Sequence, residues 1–175
     1  MTTANFTLGG YARTMGQMLR RPRVFFSTQP LDHGMKRPAL MLAVSSAIYA
    51  AACLASRLPD DPLTWGGMLF VNALGMTAIT ALLGFGVMVA VRRKRVPFGP
   101  FFSIFALSNS AAMLVAWIPF AGWIAELFKW WLIGIGLTRA CGLRAWHAAI
   151  VIGVSVIGVV VMFQGVLSLL GPGPV

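Results

Sequence analysis

Five apolar runs divide this chain, at about 39–58, 66–91, 98–118, 120–138 and 146–170. Each reaches the ~20 residues that an α-helix needs to cross about 30 Å of hydrocarbon, and the fourth is the shortest. Backbone polar groups inside a bilayer must bond within their own segment, so runs this apolar are expected to be helical. Proline supports the same division. The ten prolines, at 22, 30, 38, 59, 62, 97, 100, 119, 172 and 174, all fall near the ends of the runs. A soluble reading fails on composition, with 58% hydrophobic residues against 10% charged and a mean hydropathy of +0.82. The expected fold class is therefore all-α: a polytopic bundle of five transmembrane helices preceded by a short amphipathic interfacial helix. The parts are a basic cytoplasmic tail over 1–37, a five-span domain over 38–170 and a short outside tail over 171–175. No cleavable leader is expected, because the first 37 residues are polar and basic and the first run is too long for one.

Charge sets the orientation. Arg13, Arg20, Arg21, Arg23, Lys36 and Arg37 precede the first run, Arg92, Arg93, Lys94 and Arg95 follow the second, and Arg139 and Arg144 follow the fourth. In a five-span arrangement these twelve of the fourteen basic residues share one side. The opposite loop, RLPDDPLTW, sets Arg57 beside Asp60 and Asp61. The positive-inside rule places the N-terminus in the cytoplasm and the C-terminus outside. The net charge of +10 flanks apolar runs, which points to a membrane surface; no nucleic-acid partner is expected.

In the tail, Tyr11, Met15, Met18 and Leu19 recur at helical spacing beside Arg13, Arg20 and Arg21, with Phe25 and Phe26 beyond Pro22. That pattern suits a helix lying on the anionic cytoplasmic leaflet, although Gly9, Gly10 and Gly16 weaken its helical propensity.

The basic RRPRVFF before the first span, the tight hairpin WIPFAGW and the span-four ending KWWLIGIGLTRACGL together resemble the Yip family. These are five-span membrane proteins first known as interactors of Ypt/Rab GTPases, and the compact chain is similar to a prokaryotic member. The resemblance implies the five-span fold, a bacterial cytoplasmic membrane and little agreed function.

Small residues mark helix packing. Ala43, Ala47, Ala51 and Ala55 recur every fourth residue, a spacing that lets two backbones approach within the chain or between copies. Gly75, Gly84, Gly86, Gly134, Gly136, Gly153 and Gly158 read the same way. Arg20, Arg21 and Arg23 with the cluster Arg92, Arg93, Lys94 and Arg95 are candidates for holding anionic lipid headgroups or an acidic protein partner. Such a cluster also serves simply as an orientation signal.

Catalysis has little to build on. His33 and His147 lie at the cytoplasmic boundary, and Ser103, Ser108 and Ser110 have no base placed near them by the sequence. Cys53 and Cys141 are expected at different depths. No enzyme activity, metal or cofactor is expected.

What remains is polar groups inside the runs. Asn109 and Lys129 fall near mid-bilayer, and Asn72, Glu126 and Gln164 lie further out, so the five can converge on one polar cluster. Glu126 and Lys129, three residues apart, share a helix face and are expected to pair toward the bundle interior, with Asn109 as the neighbour from span three. Two functions compete, and the first is the favoured one, because the five unequal spans show no inverted repeat and the charges are sparse for a proton relay. A non-enzymatic membrane organiser or complex-forming adaptor, alone or as a homo-oligomer, expects this cluster to be dry and fully paired. A small transporter, channel or lipid-moving protein expects a water-accessible cavity there.

Overall fold

The computed structural model describes residues 7–28, 34–92, 97–118 and 120–170. They form seven helices: α1 Leu8–Arg20, α2 Pro22–Thr28, α3 Lys36–Arg57, α4 Pro62–Arg92, α5 Phe98–Ala116, α6 Ala121–Arg139 and α7 Ala145–Leu170. There is no strand among the described residues. Four helices are long and apolar enough to cross a membrane, namely α3, α4, α5 and α7. Helix α6 has 19 residues, but Glu126, Lys129 and its three tryptophans lower its hydropathy, and it is not among the four.

Local chemistry explains where the helices begin. Helix α4 starts at Pro62, ahead of the apolar run, because a first-turn proline has no N–H to satisfy. Asp61 caps it, accepting the Thr64 N–H at 3.3 Å on Oδ1 and the Trp65 N–H at 3.2 Å on its carbonyl. Pro38 and Pro100 likewise sit in first turns. Between α5 and α6 the chain reverses in a few residues: the Ile118 N–H donates to Val115 and the Ala121 N–H to Ile118, each at 3.1 Å. Phe120 takes a left-handed conformation there, with φ of +66°.

Helix α5 is the axis of the bundle. Of its apolar stretch 67% is buried, against 17% to 28% for α3, α4 and α7, as it lies packed between α3, α4 and α6. Contacts of α7 with α4 and α6 close a ring α4–α5–α6–α7. The outer surface is apolar, with Val71, Leu82 and Val89 of α4 and Val154, Ile157 and Val161 of α7 exposed. A surface of this kind is stable in hydrocarbon and a liability in water.

The two ends of the bundle differ. At the basic end, where α4 finishes and α5 and α7 begin, phenylalanines fill the interior. Phe85 meets Phe98 and Phe101 edge-on at 5.2 and 5.7 Å, and Phe101 stacks on Phe105 at 5.0 Å. Gly84 lets this layer close: a Cβ there would meet Ser155 Oγ at 3.0 Å and Phe105 at 3.1 Å. Gly136 does the same for α5 and α6, since its Cβ would collide with Ile104 Cγ2. At the opposite, turn end the packing leaves open space between the helices.

Several expectations change. The apolar face of α1 does not face lipid: Tyr11, Met15 and Met18 are buried in protein, and only Leu8 and Leu19 of its large apolar side chains stay exposed. The Tyr11 hydroxyl lies 2.7 Å from Ser45 Oγ, nine residues into α3, or about 14 Å along it. Phe25 and Phe26 are buried where α2 packs on α6. The glycines of α1 do not break it, because Thr7 caps the first turn through the Gly10 N–H at 3.1 Å. Ala47, Ala51 and Ala55 face outward and Ala43 is half-buried, so the stripe does not pack within the chain. The inner face of α3 is instead Met41, Leu42, Ser45, Ser46 and Ala50. Gly75, Gly86 and Gly153 have nothing within 4 Å of a Cβ position and serve no close approach.

Candidate functional site

At the turn end the helices border a cleft of about 1010 Å³ between the α3–α4 turn and the α5–α6 reversal. Its walls carry Tyr49, Trp65, Trp117, Phe120 and Trp123, with Arg57, Asp60, Asp61 and Glu126. Trp117 is fixed by its indole N–H, which donates to the Leu114 carbonyl at 3.0 Å. The carboxyl of Asp61 is held below the usual carboxylate range, chiefly by the Thr64 hydroxyl and also by the Thr64 backbone N–H.

Deeper in the bundle lies a second cavity of about 380 Å³, bounded by α4, α5, α6 and α7 with Tyr49 of α3. Tyr49, Ala116 and Glu126 line both spaces, so the cleft and the cavity adjoin there. The inner cavity stops at Phe105 and Ile133, where the phenylalanine layer begins.

Four of the five polar residues expected to cluster, Asn72, Asn109, Glu126 and Lys129, line the inner cavity. The fifth, Gln164, lies on α7 with its side chain exposed and lines neither space. Glu126 and Lys129 pair, with Nζ 2.6 Å from Oε2 and 2.8 Å from Oε1. Their environments differ: the Lys129 side chain is 16% exposed and that of Glu126 is 56%. The ammonium also stands 4.9 Å from the centre of the Trp130 ring. Lysine therefore points inward, and glutamate stands at the junction with the cleft rather than in the interior.

Asn109 is committed elsewhere than expected. Its amide Nδ2 donates to Thr77 Oγ1 of α4, and Thr77 in turn donates to the Ala73 carbonyl at 2.8 Å. Thr77, Thr80 and Tyr49 also line the cavity and escaped the sequence reading. Thr77 carried a readable signal, since it is a polar residue within the apolar run, five residues after Asn72. Tyr49 carried none, being one aromatic in an apolar run.

The remaining candidates lie apart from this site. Arg13, Arg20, Arg21 and Arg23 are exposed on α1, α2 and the turn between them. Arg92 ends α4, while Arg93, Lys94, Arg95 and His33 lie outside the described residues. His147 stacks on Trp146 with ring centres 3.6 Å apart. Its Nδ1 and the Ser108 hydroxyl are buried without a hydrogen-bond partner among the described residues. The Ser103 and Ser110 hydroxyls turn back on their own helix, at 2.8 Å to Gly99 and 2.7 Å to Ala106. Cys53 lines the cleft, whereas Cys141 follows α6 at the basic end.

No family model matches this chain, and no curated protein or solved structure matches it either.

Proposed function

We propose that the chain is a five-span membrane protein, N-terminus cytoplasmic, that admits a small solute from the outside to a polar site between α4, α5, α6 and α7. In this reading α6 is the span that carries the site. The supporting observation is the pair of adjoining spaces, which run from the turn end to Lys129 and end on packed phenylalanine. A purely organising protein expects these polar groups dry and paired, yet Asn72, Glu126 and Lys129 face a cavity. Binding, and movement of what is bound, is the class of function this geometry supports; the Yip-type resemblance speaks to architecture only.

The test is accessibility. In a chain with Cys53→Ser and Cys141→Ser, a cysteine at Asn109 is expected to react with a membrane-impermeant thiol reagent added from outside intact cells. A cysteine at Ala106, fully buried below the cavity, is the unreactive control. No labelling at 109, with labelling at Asp61 intact, overturns the reading.

A second role has its own observation. With the apolar face of α1 buried in protein, its arginines stand outward, and α1 with α2 forms a basic platform at the cytoplasmic side. This supports binding to anionic lipid headgroups there, the adaptor-like part of the expectation.

A further inference from the structure

The chain carries fourteen Lys and Arg residues but only four Asp and Glu. Three of those four, Asp60, Asp61 and Glu126, line the single cleft at the turn end. Placing nearly all the negative charge of a strongly basic protein around one opening is a feature of the cleft, not of composition. Among the described residues Arg57 is the one basic residue lining the cleft, so with Glu126 paired to Lys129 two carboxylates still face one cation there.

The rest of the wall is aromatic. Tyr49, Trp65, Trp117, Phe120 and Trp123 surround the space, and Trp123 and Phe120 are 79% and 92% exposed. Aromatic faces carry negative quadrupole potential and attract cations, tryptophan most strongly, and they also bury apolar surface. Carboxylates beside aromatic faces are complementary to a positive charge on an apolar body. The volume of about 1010 Å³ is at the upper end of the range for small-molecule sites.

An anion is the poorer fit. It would pass Asp60 and Asp61 to reach Lys129, whose charge is already met by both oxygens of Glu126 and by the Trp130 face. We propose that the cleft recognises an organic cation, an amine or onium group carrying apolar substituents. This rests on the reading of the cleft as the entry to the site.

Tetraphenylphosphonium and its anionic counterpart of the same shape, tetraphenylborate, separate charge from bulk. The full chain in lipid nanodiscs is titrated with each, following tryptophan fluorescence, with empty discs subtracted. Saturable binding of the cation is expected, at least tenfold tighter than the anion. Asp60→Asn with Asp61→Asn is expected to weaken it about fivefold, and Trp123→Ala about five- to tenfold. All three positions are exposed, so these variants fold. Equal affinity for the anion, or cation binding unchanged in both variants, overturns the assignment. No saturable cation binding does so too. Labelling at position 109 judges the cleft separately: reactive cysteine without cation preference leaves the cleft and removes the cation.

Discussion

Lys129 and Glu126 make one ion pair with two unequal partners, and the inequality fixes what each substitution does. Lys129 is largely enclosed, so removing its carboxylate leaves the ammonium without its charge partner at the cavity wall. An unpaired lysine at the centre of a span costs about 2.5–3.5 kcal/mol on insertion scales. Glu126 opens onto the cleft, where an exposed ion pair contributes at most about 1 kcal/mol. Glu126→Gln is therefore expected to destabilise the protein by about 2 kcal/mol or more, and Lys129→Met by about 1 kcal/mol or less. Denaturant titration in mixed micelles measures both. Equal losses would mean that both side chains share one environment. The pairing itself was legible from the three-residue spacing; the asymmetry was not, because it depends on the cleft that α6 shares with α3, α4 and α5.

At the level of elements, α1 is the least expected part of the structure. Tyr11, Met15 and Met18 have the spacing of a surface helix, and hydrophobic periodicity does not distinguish a lipid surface from a protein one. The choice was made by partners distant in sequence: Ser45 receives Tyr11, and Met18 is fully enclosed. Met18→Ala is expected to cost about 2–5 kcal/mol, as for other enclosed side chains cut to alanine. A loss under about 0.5 kcal/mol would mean that the helix lies on lipid instead. The alanine stripe of α3 teaches the converse. Its four-residue period was plain, but Met41, Leu42 and Ser45 claim the inner face, and a period alone says which residues share a face without saying what that face meets. Helix limits followed more directly, since proline and Asp61 act locally at first turns.

For the molecule as a whole, the charge map makes an orientation that is directly testable. A cysteine at Asp61 is expected to react with an impermeant reagent from outside intact cells, and one at Arg20 only after the membrane is opened. Reaction at 20 in intact cells would invert the arrangement and place the cleft in the cytoplasm. The order of apolar runs was readable throughout; the cleft at the turn end was not, since its walls come from residues far apart in the sequence, from Tyr49 to Glu126. The phenylalanine layer around Phe85, Phe101 and Phe105 has an electrical consequence. A transmembrane potential falls mainly across the insulating part of its path, and moving one charge through 100 mV is worth about 2.3 kcal/mol. With the cleft filled by electrolyte, nearly all of that voltage drops across the packed half. Glu126 would then stand close to the outside potential, and a cation resting beside it would feel almost none of the field.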